Sequence, residues 1–283
     1  MATAHEFQWT ARDGLRLFTR SWEPGSEPLG AVGIVHGLGE HSGRYEEFAQ
    51  QLAQSGYRVL AFDQRGHGRT PGPRGHVRDY DLLLDDIGML VQEAAERSDG
   101  RPVVLYGHSL GGNLVLNYVL RRKSCLTGVI AASPLLRPAV RLPWWKEAAG
   151  RVMNRVWPRF SFDVGVDDSA LTHDMAALAA RKQDPWIHRR VSARLGAQML
   201  DAGRWALEHA ERLRLPALVM HGDADTATSP EATREFAHRA GSNCTLRIWP
   251  GLYHELHWER GRSEIIQDII QWLQSIPHQR AAH

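Results

Sequence analysis

Short apolar runs alternate with amphipathic stretches along most of the 283 residues. Residues 6–11 and 15–23 alternate polar and apolar positions about Asp13-Gly14, which predicts two strands joined as a hairpin. Ala31 to His36 and Tyr57 to Phe62 read as buried strands. From Asp79 to Glu96, Leu82, Leu83, Ile87, Leu90, Val91 and Ala94 recur at helical spacing. Val103 to Tyr106 reads as a further strand, and Leu114, Val115, Tyr118 and Val119 supply a helix face directly after it. Leu126 to Ala132 is the sixth strand. Between Pro134 and about Arg214 the alternation stops, and a wholly helical segment rich in Trp and Arg intervenes. Pro216 to His221 resumes the sheet, followed by a helix from Pro230, a last strand from Cys244 to Trp249 and a closing helix from Ser263 to Leu273. Buried strands alternating with amphipathic helices predict an α/β fold with a mostly parallel central sheet flanked by helices. The interruption predicts a helical cap inserted after the sixth strand. The expected organisation is therefore one α/β domain from residues 1–133 and 215–283, with residues 134–214 as the cap.

Composition narrows the classes of function. With 43% hydrophobic residues the chain can bury one large core, and a formal charge of +2 carries no nucleic-acid footprint. Cys125 and Cys244 lie far apart without metal or CxxC spacing, so free thiols are the default. Met1 to Gly14 has neither a basic n-region nor an apolar h-region, and no apolar run reaches the roughly 18 residues of a membrane span. A soluble, cytoplasmic protein is expected.

The candidate chemistry centres on Gly107-His108-Ser109-Leu110-Gly111. A Gly-x-Ser-x-Gly pattern between a buried strand and a helix is a nucleophile elbow, a sharp turn that raises the serine hydroxyl above the sheet edge. The glycines have a steric reason to be there, because a Cβ at 107 or 111 would collide with the neighbouring chain. One βα unit earlier, His36-Gly37-Leu38-Gly39-Glu40-His41 forms a Gly-rich turn between a strand and a helix expected to start near Arg44, and its spacing is neither GxGxxG nor a Walker pattern. The loop Asp63-Gln64-Arg65-Gly66-His67-Gly68 must satisfy its own backbone, most simply with Asp63 and Arg65 bonding inward and His67 as an anchor. Asp223 and Asp225 follow the next-to-last strand, and His254 and His257 follow the last. Serine, acid, histidine in that chain order is the order of the α/β-hydrolase triad. Ester cleavage needs these three types: a hydroxyl, a neutral imidazole to take its proton, and a carboxylate to orient the imidazole.

Taken over the whole chain, His36-Gly37-Leu38-Gly39-Glu40-His41-Ser42-Gly43-Arg44-Tyr45, Asp63-Gln64-Arg65-Gly66-His67-Gly68, Gly107-His108-Ser109-Leu110-Gly111-Gly112 and Tyr253-His254-Glu255-Leu256-His257 resemble motifs of one family. That family is the monoacylglycerol lipase and lysophospholipase-like branch of the serine α/β-hydrolases. The resemblance implies the α/β-hydrolase fold, with Ser109 as nucleophile, Asp225 as acid and His254 as base. It also implies an oxyanion hole from the backbone N–H groups of Leu38 and Leu110, and it puts Glu40, Arg44 and His257 close to the pocket for the substrate alcohol. Asp223 then reads as a loop-structuring residue and His257 as a pocket or surface histidine. No metal and no cofactor is implied. The expected reaction is hydrolysis of a lipid carboxylic ester, monoacylglycerol to fatty acid and glycerol, through an acyl-enzyme. The rivals are a general carboxylesterase, thioesterase or lysophospholipase, a carbon–carbon bond hydrolase with the same triad, and an inert α/β-hydrolase-like binding protein. Serine at 109, where those enzymes need aspartate, argues against epoxide hydrolase or dehalogenase chemistry.

The cap carries one further pattern. On a helix starting near Pro143, Trp145, Ala149, Val152 and Val156 share a face, Trp144 and Trp157 flank it, and Arg151 and Arg155 fall away from it. Together with Arg137, Arg141, Lys146 and Arg159 this predicts an interfacial helix in peripheral contact with a membrane or micelle, with Ala149 and Val152 packed down as core.

Overall fold

The structure, a computed structural model, describes residues 4–140, 143–165 and 167–276. Arg141 of the predicted cationic set lies outside them. The hairpin expected around Asp13-Gly14 is present as β1 (His5–Thr10) and β2 (Arg16–Trp22), paired antiparallel. There follow β3 (Gly30–Val35), α1 (Glu46–Gln54), β4 (Tyr57–Phe62), α2 (Tyr80–Glu96), β5 (Val103–His108), α3 (Leu110–Arg121) and β6 (Gly128–Ala132). The next segment holds α4 (Trp144–Val156), β7 (Ser161–Asp163), α5 (Met175–Gln183), β8 (Arg190–Ser192) and α6 (Ala193–Glu208). The chain closes with β9 (Ala217–Gly222), α7 (Pro230–Ala240), β10 (Cys244–Trp249) and α8 (Arg262–Ser275).

Eight strands form one sheet in the order β1-β2-β4-β3-β5-β6-β9-β10. β1–β2 and β2–β4 are antiparallel and the remaining pairs parallel, which is the mostly parallel α/β-hydrolase sheet. Side chains alternate across it with the period of two that a strand imposes. In β5, Val103 and Leu105 enter the core beneath α2, α3, α6 and α7, whereas Val104 and Tyr106 enter the core beneath α1 and α8. Helices on both faces bury the central strands completely. The loops that follow β3, β5, β9 and β10 therefore leave the same, carboxyl edge of the sheet, where open α/β folds place their ligands.

Two elements differ from the sequence reading. The helix expected to start near Arg44 opens as a 3-10 turn over Ser42–Tyr45, and α1 begins only at Glu46. The segment between β6 and β9 is not wholly helical: Ser161–Asp163 pairs antiparallel with Arg190–Ser192, Phe162 opposite Val191. Strands of three residues are too short to display an alternating pattern. Cys125 and Cys244 are both free.

Candidate active site

The elbow has the geometry its sequence requires. Ser109 has φ 54° and ψ −114°, a left-handed conformation that costs a non-glycine residue about 1–3 kcal/mol. Three backbone bonds of about 3.0 Å hold it there: Ser109 N–H to Ala132 O, and Asn113 N–H and Leu135 N–H to Ser109 O. A Cβ on Gly107 would overlap the Gly111 carbonyl, and one on Gly111 would overlap Val35 O. Only glycine fits either place.

The residues expected as acid and base meet in the loops after β9 and β10. His254 Nδ1 lies 2.7 Å from Asp225 Oδ2, both side chains being buried. Asp225 Oδ1 accepts the Ala227 and Thr228 N–H groups at 2.7 and 3.1 Å. Its Oδ2 lies 3.0 Å from His221 Nε2 and accepts the Thr228 hydroxyl at 2.9 Å. Burial alone would raise this carboxyl, but His254 and His221 hold it far below the usual carboxylate range. An ionised carboxylate only accepts, so His254 donates through Nδ1 and Nε2 is left as the basic nitrogen. Burial likewise works against a charged imidazole, yet the Asp225 carboxylate outweighs it and raises His254 above its ordinary value. Asp223 stays outside this set, where it accepts the Gly251 N–H at 2.6 Å and ties down the loop that carries His254.

Ser109 and His254 line a common cavity of about 410 Å³ with Leu38, Glu40 and Thr228. Leu110 is the first residue of α3, so its N–H has no acceptor within the helix and stands at the positive end of the helix dipole. Leu38 sits in the turn after β3, half-buried on the cavity wall. The remaining walls are largely apolar, with Leu135, Pro138, Phe162, Val191, Met199 and Leu200 among them.

Of the three residues expected near the substrate alcohol, only Glu40 lines this cavity. Its Oε1 accepts the Gly37 N–H at 2.5 Å and the Tyr45 hydroxyl at 2.7 Å, so it also shapes the turn that carries Leu38. Arg44 lies behind it and is fully engaged. One of its nitrogens reaches Glu40 Oε2 at 3.0 Å, and its fork grips both oxygens of Glu255 at 2.8 Å. Arg44 holds Glu255 down to about 2 against the upward push of burial. His257 is stacked on Tyr45 at 4.6 Å and, among the described residues, neither ring nitrogen has a partner. Burial first, then the neighbouring His108, lowers it to about 3, so it is neutral. Arg44 and His257 thus form the layer beneath the site and not its wall.

Glu40, His108 and His257 bring ligating atoms within 4.8 Å of one another. Glu40 is already committed to two donors and to Arg44, and a dication there would stand beside a buried guanidinium, so these residues do not suit a metal. His108 instead bridges Glu40, 3.3 Å from Nδ1, and the His254 carbonyl, 3.2 Å from Nε2. Residues that sequence reasoning missed are His108, His221, Thr228, Glu255 and Arg181. His108, Glu255 and Arg181 act through contacts between segments distant in the chain, which no local spacing announces, whereas His221 and Thr228 meet Asp225 from four and three residues away. The loop after β4 behaves as read. Asp63 accepts from Ser42 and Arg69, Arg65 pairs with Asp86 and Asp13, and buried His67 packs between His36 and His188.

The sequence pattern of the family described as "Serine aminopeptidase, S33" matches residues 26–261. The monoacylglycerol lipase of Mycolicibacterium smegmatis is 30% identical over 97% of this chain and 98% of its own. The chain belongs to the monoacylglycerol lipase family of serine α/β-hydrolases. An uncharacterized abhydrolase domain-containing protein of Dictyostelium discoideum is 35% identical over 91% of the chain, which spans only 27% of that longer protein. Among solved structures, the monoacylglycerol lipase of Paleococcus ferrophilus superposes with a TM-score of 0.84 at 34% identity, covering 92% of this chain and 99% of the other. Family membership makes the chain a serine ester hydrolase.

Proposed function

We propose that the protein hydrolyses monoacylglycerol to a free fatty acid and glycerol, with Ser109 as nucleophile, His254 as general base and Asp225 as its orienting carboxylate. The observation that carries this reading is the strained Ser109 sharing one largely apolar cavity with a His254 whose proton Asp225 fixes on Nδ1. His254 Nε2 takes the hydroxyl proton as Ser109 Oγ bonds to the ester carbonyl carbon, and the carbonyl becomes an oxyanion. The N–H groups of Leu38 and Leu110 stabilise that oxyanion, each such donor typically contributing about 3 kcal/mol. Collapse breaks the bond to the glycerol oxygen, which receives the proton from His254. Water repeats the sequence on the acyl-enzyme and releases the acid. No step calls for a cofactor.

Residues 134–214 act in this reading as a cap over the carboxyl edge of the sheet, contributing Phe162, Val191, Gly196 and Met199 to the cavity. Helix α4 is turned opposite to the core packing expected for Ala149 and Val152, since both are exposed and no residue of α4 is buried. Trp144 is 81% and Val156 75% exposed, whereas Lys146, Glu147, Gly150 and Arg151 line the cavity. A helix whose apolar face looks outward and whose polar face looks inward is suited to a lipid surface, so the cap is proposed to dock on membrane or micelle. No helix among the described residues is long and apolar enough to cross a membrane.

A lysophospholipase is the second reading, favoured by Lys146 and Arg181 on the cavity wall, cations that suit a phosphodiester headgroup. Turnover of monoacylglycerols, lysophospholipids, acyl thioesters and p-nitrophenyl esters in parallel tests the choice. The highest kcat/KM is expected on monoacylglycerol, and a higher value on any other class would replace the reading.

A further inference from the structure

Three glycines sit inside the helices that flank the cavity, and they are there for different reasons. In a helix interior glycine is less favourable than alanine, because it loses more backbone freedom on folding. Gly203 in α6 has a steric cause, since a Cβ there would overlap the Leu136 carbonyl oxygen. Gly196, two turns earlier on α6, has none. A Cβ at Gly196 would lie 3.7 Å from Val191 Cγ2 and 3.8 Å from Phe162 Cζ, ordinary van der Waals contacts with the cross-strand pair of the β7–β8 ribbon. Packing of that ribbon on α6 would therefore accept alanine. At Gly150 in α4 a Cβ would meet no atom within 4 Å. Both residues line the cavity that holds Ser109.

We infer that Gly196 and Gly150 set the bore of the acyl-chain channel and thereby the longest acyl chain the site accepts. This rests on the hydrolase reading above and deepens it. What each glycine leaves unfilled is the volume of a side chain on a cavity wall, at a place where the fold makes no demand for glycine. Beside Gly196 stand Phe162 and Val191, and Ala193, Ala197, Met199 and Leu200 also line the cavity, whereas Gly150 lies among Lys146, Glu147 and Arg151 on the polar side of the wall. An apolar slot without convergent polar groups suits a hydrocarbon chain and not the glycerol. A Cβ at either position meets no atom of Ser109, Asp225 or His254 within 4 Å.

The test is a chain-length series of p-nitrophenyl esters, butyrate to palmitate, on the parent, Gly196→Ala, Gly196→Leu and Gly150→Leu. Gly88→Ala in α2 is the control: its Cβ would also meet only ordinary contacts, the nearest being the Tyr118 hydroxyl at 3.8 Å, and it does not line the cavity. Gly196→Leu should lower the palmitate-to-butyrate ratio of kcat/KM at least tenfold and Gly150→Leu several-fold. Gly196→Ala should keep a Tm at or above the parent's and lower the ratio modestly, which preserves the test if the leucine variants fold poorly. Gly88→Ala should leave the ratio unchanged. A palmitate-to-butyrate ratio within twofold of the parent's in all three cavity variants would overturn the assignment. These esters carry no glycerol, so parent protein that fails to release glycerol from monoacylglycerol overturns only the substrate proposed above.

Discussion

His254 Nδ1 and Asp225 Oδ2 stand 2.7 Å apart in a pocket where each residue is only 5% exposed. Thr228 closes the pair from the side, its hydroxyl 2.9 Å from the same Asp225 oxygen and 3.3 Å from His254 Nδ1. This contact fixes the imidazole tautomer. Asp225→Asn removes the acceptor charge and His254→Ala the base, so each should lower kcat on the order of 10³–10⁴-fold. Asp223→Asn and His257→Ala should change kcat by less than about tenfold and act on stability or KM. Steady-state kinetics on a p-nitrophenyl ester distinguishes the pairs, and a larger loss from His257→Ala than from His254→Ala would reverse the assignment.

The same contact predicts the pH profile. In the proposed mechanism His254 must be neutral to take the proton, so kcat/KM should fall as pH falls through its folded-state value. Burial alone would set that value low, but Asp225 raises it above that of an ordinary imidazole. The acid limb should therefore lie above the ordinary imidazole range and should move to lower pH in the residual activity of Asp225→Asn. A limb that does not move in the variant would mean that another group titrates.

Arg44 is expected to act through the fold. Its removal leaves Glu40 buried without its guanidinium and Glu255 with Arg181 alone, a change that typically costs about 3–5 kcal/mol. Urea unfolding of Arg44→Met should show that loss. A variant as stable as the parent with a raised KM for monoacylglycerol would instead return Arg44 to the alcohol pocket.

The outward face of α4 gives a separable prediction. Trp144→Ala combined with Trp157→Ala should weaken co-sedimentation with anionic vesicles and raise KM for long-chain monoacylglycerol, leaving a short soluble ester unaffected. Equal loss on both substrates, or no vesicle binding by the parent at low salt, would make the face a simple lid surface.

The central sheet was legible because each buried strand and amphipathic helix announces its own period; Tyr57–Phe62 and Cys244–Trp249 coincide with their predicted bounds. Gly107 and Gly111 were legible for a steric reason that belongs to the elbow itself. The layer behind the site was not, because it is built from side chains that meet only after folding. Arg44 and Glu255 are 211 positions apart, and His108 reaches the carbonyl of a residue 146 positions away. Helix α4 shows a different limit. Its apolar stripe was visible at Trp145, Ala149, Val152 and Val156, but a helical period states which residues share a face and not whether that face meets core or solvent.

Release of fatty acid and glycerol from a monoacylglycerol, measured with the parent and with Ser109→Ala at matched folding, tests the central claim most directly. The parent should turn over the substrate and label with a fluorophosphonate probe, while Ser109→Ala should unfold normally yet lose both turnover and labelling. Labelling or turnover that persists in Ser109→Ala would contradict the account.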